Sequence, residues 1–332
     1  MARATERLHA DKLDERAALL AYHWEQAGDA LTAAQWYARA ARVAGFDSPV
    51  EAARHWEKAW EILQSMPSSD AGAALRRQAA PQLLLFGWRL GMTSDRVAEI
   101  FAEGKALAVA VGDVREQVRL HYSLGLIYAV DGNPRRAIPV FEESVILADA
   151  TGDPELRWSA RTAFDFSLWL VGDLVSAERM NDEQIALGEV DPALGIATIG
   201  ICTADSLWHR GVILTDLGRF QEAAEALLRA DERARRLGGN EMASWIDFWS
   251  ARNLSRAGDA QGAQSMGRRA IESAEKIGSV LGRVGAYGYY GMACVLGNEW
   301  QSARESLELA LELGRANQTG RFLDAFYVAA LA

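Results

Sequence analysis

Cysteine is nearly absent from this chain. Cys202 and Cys294 are the two in 332 residues, and their spacing pairs with nothing. That excludes a disulfide framework and a thiolate zinc site, and it fits a reducing, cytosolic setting. Proline is scarce, with 7 residues, and no Ser/Pro-rich linker or low-complexity stretch divides the chain. Basic charge is short: 35 Lys and Arg stand against 45 Asp and Glu, for a net charge of −10 and a pI near 5.1. Nucleic acid and anionic membrane surfaces call for a basic face, so neither is expected as a partner. No run approaches the roughly 18 apolar residues of a membrane span. The richest stretch, Leu83–Leu85 with Phe86 and Trp88, is broken by Gly87, Arg89 and Gly91. The N-terminus carries no apolar signal region, so a cytoplasmic location is expected.

The chemical motifs are missing as well. The five histidines are His9, His23, His55, His121 and His209, and none belongs to a His-x3-His or Cys/His cluster, so no metal is expected. No Gly-x4-Gly-Lys-Ser/Thr phosphate loop occurs, and no other cofactor signature is present. No Ser/His/Asp or Cys/His arrangement follows from spacing; the nearest thing, Asp205 four residues before His209, is a pattern that arises by chance on helices. The chain is therefore read as not an enzyme.

What the chain does have is a recurring glycine. Gly28, Gly132, Gly172, Gly218, Gly258 and Gly297 each close one helical pattern and precede another, at spacings of 40, 46, 40 and 39 residues from Gly132 on. Ala33, Ala137, Ala177, Ala223 and Ala263 stand five after the first five; the last repeat slips by one and offers Ala303. A period of this size means a solenoid of helix pairs, which grows in length without thickening its core. Ala, Leu, Glu and Arg dominate, with apolar residues at three- and four-residue steps. The pattern predicts helices over 13–27, 30–44, 49–65, 71–90 and 94–111. Pairs follow at 114–130 with 134–150, 154–170 with 174–188, 193–216 with 219–237, 241–256 with 260–277 and 280–295 with 299–315. A last helix starts at 319. The A-to-B turns read Gly-Asp or Gly-Asn, as at Gly28-Asp29, Gly172-Asp173 and Gly297-Asn298: glycine takes the left-handed conformation and the next residue caps the following helix.

Side-chain size supplies the packing logic. Twelve after the glycine stand Ala40, Ser144, Ala230 and Ala270; seven before it stand Ala21, Gly125, Gly211 and Ala251. Ten before it, Tyr122, Trp208, Phe248 and Tyr287 are large enough to fill the space between repeats. Small against large in fixed registers is how neighbouring helices interdigitate.

These residues resemble the tetratricopeptide repeat, with its period stretched from about thirty-four to about forty. The start is more specific. Leu19-Leu20-Ala21-Tyr22-His23-Trp24-Glu25-Gln26-Ala27-Gly28-Asp29, then Ala33-Ala34-Gln35-Trp36-Tyr37-Ala38-Arg39-Ala40-Ala41, is similar to the segment joining ATPase module to repeats in bacterial class III adenylate/guanylate cyclase–ATPase proteins. Ser48-Pro49-Val50-Glu51-Ala52 suits that junction too. The resemblance implies an all-α, tetratricopeptide-like αα solenoid, a right-handed superhelix whose A helices line the concave face. It divides the chain into N-terminal junction helices over 1–66 and repeats over 67–332. No cyclase domain fits in the sequence and no basic C-terminal helix-turn-helix is visible. The chain stops inside a helical pattern, at Tyr327-Val328-Ala329-Ala330-Leu331-Ala332, where an array should carry a polar capping helix, so the repeats are expected to be truncated there. The implied role is a scaffold for protein–protein recognition in a signalling protein, with a protein or peptide in the groove and ATPase or cyclase domains in cis. The alternative is a small-molecule-sensing array of an ATPase-type transcription activator.

The groove candidates follow from rule-breaking residues. Of the 11 tryptophans, most fall on packing registers; Trp245 and Trp249, four apart on one A helix, and Trp208 are the groove candidates. His209 beside Trp208 is read first as a structural histidine and second as groove lining. Asp165 occupies the register where other repeats have Gly or Ala, and a carboxylate there is costly to bury unpaired. It is read as a pair with Arg161, four residues earlier on the same helix face, with a ligand contact as the alternative. Tyr122 completes the set. Gly282, Gly285, Gly288 and Gly291 step by three in one A helix; they are read as close helix packing and not as a phosphate cradle, at about 1 kcal/mol each against alanine.

Overall fold

The computed structural model describes residues 2–8, 12–45, 48–67, 69–87, 92–199, 203–236 and 240–332, Asn240 without its side chain. His9, Trp88, Arg89, Gly91 and Cys202 lie outside them. Among the described residues helix is the only regular secondary structure, and no helix there is long and apolar enough to cross a membrane. The chain forms two units, Met1–Leu124 and Gly125–Ala332.

The first unit holds α1 (Ala2–Leu8), α2 (Ala17–Gln26), α3 (Ala30–Ala44), α4 (Pro49–Ser65), α5 (Asp70–Gly87), α6 (Ser94–Ala110) and the first part of α7 (Val114–Val130). Each of α2 to α5 packs on the next. Pro49 opens α4 in its first turn, where a missing N–H is harmless. The sequence pattern gives no sign of α1. Its Glu6 carboxylate accepts from the indole N–H of Trp24 at 2.9 Å and of Trp36 at 3.1 Å.

The second unit runs on through α8 (Pro134–Thr151), α9 (Pro154–Arg161), α10 (Phe164–Leu170), α11 (Leu174–Val190) and the short α12 (Ile196–Ile199). Then come α13 (Ala204–Asp216), α14 (Phe220–Arg236), α15 (Asn240–Arg256), α16 (Ala260–Ile277), α17 (Val280–Leu296) and α18 (Trp300–Asn317). A 3-10 turn, Arg321–Leu323, leads into α19 (Asp324–Leu331). Helices α13 to α18 pack in sequence, and α13, α15 and α17 also pack on one another, which makes them the A layer.

The small registers bring the helices together. Ala33, Ala137, Ala177, Ala223 and Ala263 are wholly buried, and so are Ser144, Ala230 and Ala270. A Cβ at Gly125 would fall 2.4 Å from the Phe141 ring, and one at Gly211 2.4 Å from Leu227 Cγ. The large B-helix residue therefore sits directly on the A-helix glycine. The stepped glycines of α17 serve three neighbours: Gly285 faces Phe248, Gly288 faces Tyr327 and Gly291 faces Leu307.

The turns explain the slip in the last repeat. Gly28, Gly132, Gly172, Gly218 and Gly258 are left-handed, with φ between 75° and 87°. Asp29, Asp173 and Asp259 cap the next helix through backbone N–H groups three residues on. Gly297, however, has φ −82°, and Asn298 takes the left-handed role at φ 61°. Asparagine is the non-glycine residue best suited to it. Moving the turn by one residue moves the buried alanine from the expected register to Ala303. Asn298 is thus the turn residue and not the cap, and Glu299 is the N-cap.

Within the 193–216 pattern the described residues form α12 and α13. One expected helix is interrupted. The 154–170 pattern breaks at Thr162–Ala163, where Ala163 is left-handed at φ 64°. An alanine there costs about 1–2 kcal/mol. The break is explained by Asp165. The carboxylate is wholly buried and faces Asn181 of α11, and at the start of a new helix it also accepts from an N–H that no preceding turn satisfies. Its Oδ1 takes the Phe166 N–H at 2.7 Å.

Candidate functional site

The A helices of the second unit carry one aromatic residue after another on their shared face. The rings run Phe166 (α10), Trp208 (α13), Trp249 (α15) and Tyr289 (α17). Phe166 meets Trp208 edge-on at 5.3 Å, Trp208 stacks on Trp249 at 6.0 Å and 16°, and Trp249 lies 5.4 Å from Tyr289. Trp169 joins from α10, 5.1 Å from Phe166 and 5.6 Å from Trp249. Offset and edge-on pairs at these distances are the favoured aromatic geometries.

Two polar clusters are set into this wall. In the first, His209 Nδ1 lies 2.8 Å from Asp165 Oδ1, too oblique for a linear hydrogen bond, and Nε2 lies 3.8 Å from Asp205 Oδ2. Asn181, from α11, donates to Asp165 Oδ2 at 2.7 Å and to the Ser206 carbonyl at 2.8 Å. The Trp208 indole donates to Asp205 Oδ1 at 2.7 Å. Burial pulls the His209 imidazole down, but the charges of Asp165 and Asp205 outweigh it and hold its pKa above the ordinary value. Burial likewise pushes Asp205 up, against the pull of His209 and the Trp208 hydrogen bond. The cluster therefore favours the protonated form of the imidazole. Both ring nitrogens face carboxylates. The arrangement ties α10, α11 and α13 together.

In the second cluster, Asp216 accepts from the Trp169 indole at 2.6 Å and from Arg252 Nη2 at 2.6 Å, and Arg256 stands 3.8 Å away. Arg252 is 2% exposed. Its guanidinium lies 5.6 Å from the Trp169 ring, 5.7 Å from Trp249 and 5.7 Å from Phe326, so a desolvated cation is held among three aromatic rings. Its Nη1 has no hydrogen-bond partner.

Of the sequence candidates, the structure brings together Trp208, His209, Trp249 and Asp165. Trp245, one turn before Trp249, is half-buried and stands apart from these stacked rings; its indole N–H has no partner. Tyr122 is buried in the first unit. Arg161 does not pair with Asp165. Its guanidinium donates twice to Asp149 of α8, at 2.9 Å each, and approaches Glu183 at 3.7 Å. The expected pair presupposes a continuous helix, and the break at Ala163 removes the shared face. His209, not Arg161, neutralises Asp165. Sequence reasoning missed Phe166, Trp169, Asn181, Asp216, Arg252 and Tyr289. One signal was available: Phe166 and Trp169, three apart, in the same helix as the anomalous Asp165.

The C-terminal segment completes the face. Helix α19 packs on α17 and α18. Its Tyr327 is wholly buried, edge-on to Tyr289 at 5.8 Å, and donates to the Val284 carbonyl at 3.2 Å. Phe322 meets Phe166 at 5.6 Å and Phe326 stacks on Trp169 at 6.5 Å, so the last helix also touches α10.

A tetratricopeptide-repeat family model matches residues 204–236, the α13–α14 pair. No curated protein sequence matches the chain at a significant level. Among solved structures, the chain is similar to a Rap protein complexed with Competence and Sporulation Factor, at 12% identity and a TM-score of 0.62 over 92% of this chain and 80% of that one. It is similar to the apo form of RapI at 11% identity and a TM-score of 0.52, covering 91% and 97%. A third similar structure is a Signal Transduction ATPase with Numerous Domains protein with a tetratricopeptide repeat sensor, from Pyrococcus horikoshii. There the identity is 14% and the TM-score 0.51, over 93% of this chain and 50% of that one. The repeat match and these neighbours agree with the helix pairs described above: the fold is an all-α, tetratricopeptide-like solenoid.

Proposed function

We propose that this chain is a non-catalytic scaffold for protein–protein recognition and the regulatory region of a larger bacterial ATPase or cyclase signalling protein in the cytoplasm. The observation that carries the reading is the ring series Phe166, Trp208, Trp249 and Tyr289 with Arg252 set into it, buried in the chain alone and met in part by Phe322 and Phe326 of the C-terminal segment. Rigid aromatic side chains and arginine dominate recognition hot spots. The likeness to an ATPase with a repeat sensor, of which this chain spans half, supports the regulatory role, as does the resemblance of residues 1–66 to an ATPase-to-repeat junction. A partner on the A-helix face would favour one curvature of the array over another and bias an attached domain. A second reading, small-molecule sensing by the same face, is favoured by the polar groups of Arg252 and His209 among the rings, a lining typical of ligand sites.

The test is direct. Purified protein incubated with ATP and magnesium should form neither cAMP nor ADP, and formation of either overturns the non-catalytic reading. Tryptophan fluorescence should be quenched by a protein partner; saturable quenching by a metabolite selects the sensor instead.

A further inference from the structure

The aromatic wall of the second unit is occupied, and its occupant shows what it accepts. The segment hangs from α18 by Gln318-Thr319-Gly320, in which Gln318 and Gly320 are both left-handed, at φ 49° and 69°. It is anchored on α17 by Tyr327, and both Leu323 and Tyr327 are wholly buried. Phe322 and Phe326 do something else. They are half-buried, one helical turn apart, and reach away from that anchor to Phe166 and Trp169 of α10. In the same stretch the Arg321 backbone passes 3.4 Å from where a Cβ of Gly132 would lie. Phe322 of the 3-10 turn and Phe326 of α19 thus reach α10 with half-buried rings, while α19 stays tied to α17 through Tyr327. Parting those two rings leaves the repeat core whole.

What parting uncovers has a definite chemistry. Phe166, Trp169 and the Arg252 guanidinium lose the rings of Phe322 and Phe326, and Trp249 lies directly behind Trp169. Arg252 and Arg256 share the single carboxylate of Asp216, so the spot carries an excess positive charge, and Arg252 Nη1 is without a partner. The resident segment reads Phe322-Leu323-Asp324-Ala325-Phe326, aromatic, acidic, aromatic, with Asp324 Oδ2 3.8 Å from Arg321 and Oδ1 without a hydrogen-bond partner. We propose that the face formed by Phe166, Trp169, Trp249 and Arg252 recognises a peptide segment with two aromatic residues one helical turn apart and an acidic residue between them. Phe322 and Phe326 are its built-in competitor. This rests on the scaffold reading and supplies the partner's chemistry.

The experiment uses the full chain and a fluorescein-labelled synthetic peptide copying residues 320–328. Phe322→Ala/Phe326→Ala protein should bind the peptide at least tenfold more tightly than the unsubstituted protein, because the competitor is gone. A peptide with Asp324→Asn should bind that variant at least fivefold more weakly. In the unsubstituted protein, amide hydrogens of 321–326 should exchange at least tenfold faster than those of α17. Equal affinity for the two proteins, absence of binding to a variant whose circular dichroism and melting are native-like, or equal protection of 321–326 and α17 each overturn the proposal. So does a dimer that the double substitution dissolves, since a second copy's segment would then be the occupant. Should the double variant not fold, Phe326→Ala alone and the exchange measurement decide. A protein partner that cross-links equally to both proteins, with no peptide binding, overturns this inference and leaves the scaffold reading standing.

Discussion

Gly288→Ala separates the array from its last helix. A Cβ on Gly288 would lie 1.9 Å from Tyr327 Cζ and 2.3 Å from Cε1. Carbon atoms in contact sit about 3.5–4.0 Å apart, so the ring must retreat by roughly 1.5 Å or more. It has no room to do so in place. Tyr327 is wholly buried, its hydroxyl bonds the Val284 carbonyl of the same α17, and its ring abuts Tyr289. Two opposite terms follow. Within α17, alanine is favoured over glycine by about 1 kcal/mol, which stabilises the array. Undocking Tyr327 forfeits about 2 kcal/mol of apolar burial and about 1 kcal/mol of hydrogen bond, which loosens α19 by about 3 kcal/mol. At 1.4 kcal/mol per factor of ten, amide protection over α19 should fall about a hundredfold. Protection over α13 to α16 should hold, and the melting temperature of the array should stay within a few degrees. Hydrogen exchange read by mass spectrometry, with a thermal melt, tests both halves. Unchanged protection over α19 together with a lowered melting temperature would refute the reasoning, because the added methyl would then have been absorbed by displacement of α17.

The remaining predictions concern the polar cluster and the turns. Asp165→Ala leaves the protonated His209 buried with one distant carboxylate, and should cost about 3–5 kcal/mol in urea unfolding. Adding His209→Leu should recover part of that, and a cost below about 1 kcal/mol for the single variant would contradict the pairing. The His209 pKa is raised in the folded protein, chiefly by the two carboxylates overcoming burial. Its contribution is therefore complete below the unfolded value of about 6.5 and is lost as pH rises through the folded value. The melting temperature should decline across that alkaline side, and the decline should be shallower in His209→Gln; parallel profiles would exclude His209 as the source. Gly258→Ala forces a side chain to φ 86°, in open space, and should cost about 1–2 kcal/mol, whereas Gly258→Asn, a residue that takes this conformation at Asn298, should cost less. Equal melting of the two variants would mean that the turn conformation is not what selects glycine.

How much of this was legible in the sequence depends on the range of the cause. The helix pairs and buried alanines follow from spacing alone, because a solenoid's contacts are between neighbours and each repeats the same registers. Helices α3, α4 and α16 fall where the pattern puts them. The break at Ala163 does not show, since alanine carries no sign of a left-handed conformation; the cause is Asp165 two residues on, satisfied by Asn181 and His209 from other helices. The Arg161 pairing failed for the same reason: a four-residue spacing means contact only while the helix is continuous. The turn at Asn298 was half legible, its one-residue slip being visible in Ala303 but its cause not. Trp208 and Trp249 stand out by size, but Trp169 and Arg252 acquire meaning only once α10 and α15 lie side by side. That Phe322 meets Phe166 depends on a chain path about 150 residues long, which no local pattern encodes.

That last contact changes how the second unit bears load. A helical-repeat array is close to a one-dimensional chain of neighbour interactions, free to fray from either end, with damage at one repeat fading over the next. Phe322 on Phe166 and Phe326 on Trp169 join late sequence to early sequence, turning the open chain of interactions into a loop. Within a loop a loss at α10 is felt at α19 directly, without passing through α11 to α18. The entropy of closing so long a path is recovered only once the intervening helices are in place, so closure comes last in folding. The unit should then lose its independent-repeat behaviour and unfold as one cooperative block for as long as two phenylalanines hold it shut.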